Sequence, residues 1–244
     1  MLERIFLSGA QRRLFAKGVP VFCYHSLGPA AHGARDPFLW VVAAEFSQQL
    51  AALRAAGLES GMLDNVANPA NAGRKAVITF DDGCRNVIEH GLEPLRQHGF
   101  TAIQFLVAGM IGGQNDWDVR KGDAPVPLMN HDEVQTWLAA GHQIGSHTLT
   151  HPVLTKCANA REEISASKKK LEDEFGVEVR HFCYPHGKWD ERVRDLVREA
   201  GYTSACTVAP GVAMAGEQMF TLPRFFAYSG TRLAAKALHR LFRR

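Results

Sequence analysis

The 244-residue sequence predicts an α/β fold built on a mainly parallel sheet that closes into a barrel or barrel-like form. Three observations carry this. Apolar, β-rich runs alternate with helical patterns from one end of the chain to the other. The helical stripes stop at glycines. The residues with useful chemistry, Tyr24-His25, Asp81-Asp82, His147 and Pro185-His186, all fall at the carboxyl ends of strand-like runs. In parallel α/β architectures that is the face where loops from several strands converge and sites are built.

Taken in order, the strands are expected at 19–24, 76–80, 102–107, 143–146, 179–184 and 203–207. Between them, Phe46, Leu50, Leu53 and Ala56 form an apolar stripe ending at Gly57, and Val134, Trp137, Leu138 and Ala140 form another ending at Gly141. Asn130 and Glu133 stand at capping-box spacing before the second. Ile164, Leu171 and Phe175 mark a third helix stopped by Gly176. Asp190 caps a fourth that carries Val193, Leu196, Val197 and Ala200 before Gly201. The Gly/Asp/Pro-containing stretch 109–130 is long for a plain connection and reads as a lid or binding loop. There is no internal repeat and no low-complexity segment.

With 46% hydrophobic and 22% charged residues, the chain is long enough for one sizeable core and too short to need two. One domain is expected over 19–230, between basic amphipathic segments at 1–18 and 231–244. The five cysteines, Cys23, Cys84, Cys157, Cys183 and Cys206, are odd in number, lack framework spacing, and read as reduced and structural. Arg12 and Arg13 interrupt the N-terminal stretch, which therefore lacks the continuous apolar run of a secretion signal. No other segment is long and apolar enough to span a bilayer. A cytoplasmic location is expected.

Net charge is only +3, but Arg232, Lys236, Arg240, Arg243 and Arg244 crowd the C-terminus without an acid. Leu233, Ala237, Leu238, Leu241 and Phe242 fall among them at helical spacing. The first seventeen residues repeat the pattern faintly, with Ile5, Phe6, Leu14 and Phe15 against Arg4, Arg12, Arg13 and Lys17. Two readings stand: a terminal helix packed on the body with a solvated face, or peripheral contact with an anionic membrane surface, on the inner face. No nucleic-acid partner is expected, because no recognition motif or basic-aromatic stripe accompanies the charge.

Two short segments carry most of the chemistry. Thr79-Phe80-Asp81-Asp82-Gly83 closes a strand-like run, and Ser146-His147-Thr148-Leu149-Thr150-His151 follows another. They offer two adjacent carboxylates and a His-x-x-x-His pair, the parts needed to hold a divalent metal and keep one carboxylate free as a base. Alternation at the strand end is expected to point Asp81 and Asp82 in different directions. His147 and His151, four apart, can share a metal from one helical turn, which Pro152 would end. A lone Asp-Asp-Gly is a common turn; the combination argues for a hydrolase.

These residues resemble the polysaccharide deacetylases with the NodB homology domain, carbohydrate esterase family 4. That family's T-F-D-D-G motif stands here as Thr79 to Gly83, and its H-[ST]-x-x-H motif as His147 to His151. The resemblance runs from about Val19 to Arg224. It implies a distorted (β/α) barrel and metal-dependent removal of an acyl group from an amino sugar. It makes Asp81 the general base and Asp82, His147 and His151 the metal ligands.

Two departures stand out. The family's R-x-P-[YF]-G motif reads Cys183-Tyr184-Pro185-His186-Gly187, without the arginine that steadies the base, and its L-x-H motif reads Leu222-Pro223-Arg224, without the acid histidine. Arg224 is the candidate to replace the missing arginine. His25, in a segment similar to the N-terminal Y-H segment of the biofilm-polysaccharide deacetylase branch, is the candidate acid; its alternative is a structural histidine at a strand end. The backbone N–H of His186, at the position resembling the family's oxyanion donor, joins the catalytic set, while its side chain reads equally as a substrate contact or a solvated loop histidine. Tyr184, Pro185 and Trp189 are candidate substrate contacts, and Trp117 and Trp40 are further candidates for an aromatic wall, each of the tryptophans reading also as core.

Amide hydrolysis needs an activated water, a stabilised oxyanion and a proton for the departing nitrogen. Zn²⁺ is the expected ion, though two His and one Asp also suit Co²⁺, Ni²⁺, Mn²⁺ or Fe²⁺. The expected substrate is an N-acylated (N-acetyl or N-formyl) amino sugar, lipid-linked or nucleotide-linked, in surface-glycan synthesis. Three other readings are amide cleavage on a non-sugar small molecule, a silent carbohydrate-binding protein, and a non-haem iron oxygenase. The second carboxylate beside the ligands argues against the last.

Overall fold

The computed structural model describes residues 9–216 and 219–228. A short helix α1 (Gly9–Phe15) leads into β1 (Val21–Tyr24). Two small strands follow, β2 (Ser26–Leu27) and β3 (Trp40–Val41), which pair with each other apart from the main sheet. Then come α2 (Ala43–Ala55), β4 (Glu59–Gly61), β5 (Lys75–Phe80), α3 (Asn86–His98) and β6 (Ala102–Leu106). The single-turn α4 (Asp116–Val119) and α5 (His131–Ala139) precede β7 (Gln143–Ser146). The chain continues through α6 (Ala160–Phe175), β8 (His181–Cys183), α7 (Glu191–Glu199), β9 (Ser204–Cys206) and β10 (Phe225–Phe226).

All pairings in the main sheet are parallel, in the order β10-β1-β5-β6-β7-β8-β9, with β4 on the start of β5. A parallel bridge between Cys206 and Leu222 ties β9 to the segment that runs on into β10. The sheet therefore curls until its two edges meet through residues 222–226, a distorted barrel as expected. Its strands read as near-continuous apolar runs because both faces are covered. Phe46, Leu50, Val87, Leu95, Val134 and Trp137 from the helices fill the outer layer, while Val77, Ile103, Phe105 and Cys206 fill the inner one.

The six expected strands are present within a few residues at each end. The capping box of Asn130 and Glu133 and the Asp190 cap, whose Oδ1 accepts the Val193 N–H at 2.8 Å, are also present. Helix α3 was not expected: Pro94 lies inside it and obscures the Val87, Gly91 and Leu95 stripe. Strands β2, β3, β4 and β10 are too short to stand out as apolar runs.

Residue 18 does not separate a segment from a domain. Phe15 is buried, and its ring meets those of Phe22 and Phe225, so that part of the N-terminal stripe is spent on packing against the barrel. The remainder, residues 1–8, and the C-terminal segment 231–244 lie outside the described residues. Among the described residues no helix is long and apolar enough to cross a membrane.

Candidate active site

Strand register sets the level of the site. Tyr24 and Phe80 are partners across β1 and β5, and the Asp81 N–H donates to the Tyr24 carbonyl at 2.9 Å, so His25, Asp81 and Asp82 leave the sheet side by side. His147 leaves the end of β7, its N–H donating to the Leu106 carbonyl at 2.8 Å. Cys183 ends β8, opposite Cys206.

Beyond the strand ends the backbone departs from the expected geometry. Alternation does not separate the two carboxylates; a left-handed Asp82 (φ 73°) followed by Gly83 (φ 82°) turns the chain back after Asp81. The helical turn expected for His147–His151 is absent. That segment is an irregular bend with Thr148 at φ 70° and His151 at φ 63°, and the His151 N–H donates to Thr148 Oγ1 at 2.9 Å. Glu163, in the first turn of α6, accepts the Leu149 and Thr150 N–H groups at 3.0 and 2.9 Å and the Thr150 hydroxyl at 2.7 Å. Among the described residues the four non-glycine positions at positive φ are Asp82, Thr148, His151 and His186, all in this site. Each costs on the order of 1–3 kcal/mol and persists only because its surroundings hold it.

The ligand set converges. His147 and His151 Nε2 lie 3.1 Å apart, and Asp82 Oδ1 is 3.5 Å from each. Metal bonds of about 2.0–2.1 Å in a tetrahedron separate ligand atoms by about 3.3 Å, so three donors at these distances fit a Zn²⁺-like ion. His147 Nδ1 donates to the Cys183 carbonyl at 2.7 Å, which leaves its Nε2 lone pair facing the other donors. Trp117, from α4, stacks on the His151 ring at 4.5 Å.

Asp81 is built differently. Arg224 grips it with two parallel bonds, Nη1 to Oδ1 and Nη2 to Oδ2, both 2.7 Å, and both side chains are buried. The guanidinium is itself fixed, donating to the Thr207 carbonyl through Nε and to Thr79 Oγ1 through Nη1. Burial alone would raise the carboxyl pKa, but the Arg224 charge and hydrogen bonds outweigh it and hold Asp81 well below the usual range. Two thiols, Cys23 and Cys183, approach Asp81 Oδ2 at 3.4 Å. Burial, against the pull of Arg224, keeps both protonated and able to donate.

The missing arginine is explained here. Cys183 stands at the motif position where an arginine was expected, and Arg224 Nη2 lies 3.1 Å from its Sγ. A small thiol leaves room that Arg224 fills from the closing segment. His25 stands beside Asp81: donor atoms of Cys23, His25 and Asp81 lie within 4.8 Å of one another, as do those of Asp81, His147 and Cys183.

His25 and Asp82 line a cleft together with Trp40, Asp118 and Val126. Stretch 109–130 contributes to this wall and is anchored by short bridges of Gln114 to Pro127 and of Cys84 to Leu128. His186 is exposed, its ring 4.8 Å from that of His151. Tyr184 and Pro185 are corrections. Both are buried, and the Tyr184 hydroxyl donates to the Phe220 carbonyl at 2.9 Å, so their side chains are engaged inside the fold and not displayed at its surface. Trp189 is exposed, tilted against the Tyr184 ring at 6.4 Å, and is not among the residues lining the cleft. Glu163 and the two thiols were not identified from sequence as site residues, since nothing in their local pattern distinguishes them from a helix-start acid and core cysteines.

Three convergent ligands, with a second carboxylate beside them at the carboxyl rim of a parallel barrel, form the architecture of metal-assisted hydrolases. Residues 68–205 match the family model for polysaccharide deacetylases, and the chain belongs to that family. It is 25% identical over 150 residues to YxkH of Bacillus subtilis, a protein named as a polysaccharide deacetylase, covering 61% of this chain and 50% of that one. It is also 25% identical over 135 residues to a chitooligosaccharide deacetylase of a Bradyrhizobium species, covering 52% and 53%. The chain thus spans about half the length of these curated relatives. The fold matches that of IcaB from Ammonifex degensii, with a TM-score of 0.76 and 22% identity over 91% of this chain and 97% of that one.

Proposed function

We propose that this protein hydrolyses the N-acyl group, most simply N-acetyl, of an amino sugar. The observation that carries the reading is the juxtaposition of the Asp82, His147 and His151 donors with an Asp81 held by Arg224 and flanked by His25. Asp81 Oδ2 is engaged by Arg224 and the two thiols, whereas Oδ1 accepts one arginine N–H and keeps a second lone pair for a water proton. A carboxylate held this far below its ordinary pKa needs an acidified water, which is the chemistry that a divalent ion on Asp82, His147 and His151 supplies when bound. Zn²⁺ is the proposed ion. His25, beside Asp81, protonates the departing amine, and the His186 N–H stabilises the developing oxyanion.

The substrate is proposed to be a lipid-linked or nucleotide-linked intermediate of surface-glycan synthesis, met in the cytoplasm. The basic amphipathic pattern of 231–244 supports contact with an anionic inner membrane face. Acetate or formate release from free, nucleotide-linked and lipid-linked N-acylated hexosamines tests both parts. Release is expected to need metal, to stop with a chelator, and to fall about 10²–10⁴-fold in Asp81→Asn and in His25→Ala. Activity that survives either change overturns the assigned roles. Failure on every sugar overturns the substrate class, and indifference to anionic vesicles at low salt overturns the membrane contact.

A further inference from the structure

The closing segment carries more than Arg224. Residues 224, 226 and 228 alternate along an extended stretch and so share one face. That stretch is tied to β1 by the Phe22–Phe225 and Cys23–Phe226 register and by the Ala227 N–H donating to the Cys23 carbonyl at 2.9 Å. Arg224 grips Asp81. One step along, the Phe226 ring stacks on His25 with centroids 5.7 Å apart and planes 18° apart. One step further, Tyr228 stacks on Phe226 at 5.7 Å and 16°. Neither ring is sealed in the core; Phe226 and Tyr228 are both half-buried. Three near-parallel rings thus lead from the catalytic centre toward the rim.

We propose that Phe226 and Tyr228 form an aromatic strip that receives the apolar face of the sugar ring on the leaving-group side of the scissile amide. This rests on the deacylase reading above. The chemistry assigns the side: the ligand set faces the acyl carbonyl, whereas His25 faces the nitrogen, so whatever lies beyond His25 meets the ring that carries the nitrogen. A pyranose presents one face of axial C–H groups, which packs on aromatic rings at a small entropic cost because the rings have few rotatable bonds. Phe226 has a second duty as a positioning residue, setting the plane of the His25 imidazole.

The test compares a β-linked N-acetylglucosamine trisaccharide with 4-nitrophenyl acetate, which has an acyl group and no sugar, on the metal-loaded full chain. Tyr228→Ala is expected to lose about tenfold more in kcat/KM on the trisaccharide than on the ester, mostly through KM, and Tyr228→Trp to recover it. Phe226→Leu, which keeps apolar bulk, is expected to raise KM for the trisaccharide and, as His25 loses its stacking partner, to lower kcat on it more than on the ester, whose nitrophenolate leaves without a proton. Equal losses on both substrates in Tyr228→Ala, or no loss on either, overturn the strip while leaving the deacylase reading intact. A wild-type protein that cleaves the ester but not the trisaccharide overturns the strip, and one that cleaves neither of these nor any nucleotide-linked or lipid-linked N-acylated hexosamine overturns both.

Discussion

At the scale of single residues, the Asp81–Arg224 pair decides most. Both partners are buried, so neither can fall back on water if the other is removed. Arg224→Met should therefore cost about 3–5 kcal/mol of folding stability, read from urea midpoints, as well as the orientation of the base. A loss below about 1 kcal/mol would show that water reaches Asp81 and that the pair is not sealed. The sequence told the carboxylates and imidazoles plainly, because their spacing is dictated by the atoms they hold. It told Arg224 only through an absence elsewhere: an arginine missing at position 183 and one present at 224 suggest each other. The thiols and Glu163 were illegible, since a buried Cys and a helix-start Glu have ordinary structural uses. Tyr184 was misread for a physical reason: a tyrosine at a strand end resembles a substrate contact until its hydroxyl is seen bonded inside.

At the scale of elements, the site depends on how tightly strands approach one another. Gly145 of β7 pairs with Phe105, and a Cβ there would lie 2.5 Å from that ring and 2.9 Å from the His181 carbonyl. Gly145→Ala should therefore destabilise by about 1–3 kcal/mol as β7 is pushed away from its neighbours. Because His147 follows two residues later, metal affinity should fall with it; unchanged affinity together with unchanged stability would show that the sheet absorbs the methyl group. The long central strands were legible because burial on both faces makes them continuous apolar runs. β10 was not, for two apolar residues carry no period, and its place was set by closure with β1 and not by its own pattern. The Pro94 in α3 hid a helix that packing against α2 supports.

At the scale of the whole molecule, the buried ionisable groups set the response to acid. Burial pushes His142 down from 6.5 to about 4, and it likewise lowers His181. Groups whose folded pKa is depressed release stability as pH falls, so these two weaken the fold progressively from about pH 6.5 toward 4. Asp81, depressed by Arg224 from 3.8, adds a second loss at lower pH. His147, raised by Asp82 despite its burial, has the opposite sign in metal-free protein and offsets part of the first. Urea midpoints of metal-loaded protein should therefore fall between pH 7 and 4, with a shallower slope in His142→Gln; equal slopes in the two proteins would remove His142 from the account.

The bridge of Leu222 to β9 and the pairing of β10 with β1 follow the other strands in sequence, and Arg224 sits between them, 143 residues after the aspartate it holds. The last described stave of the barrel is thus also the part that fixes Asp81. While the chain is being synthesised, the carboxylate, the imidazoles and most of the sheet exist before the guanidinium that neutralises Asp81 has been made. A nascent or clipped chain that stops short of residue 222 would carry an unpaired buried acid and an open seam. On the proposed deacylase reading, activity would therefore report that the barrel has been sealed.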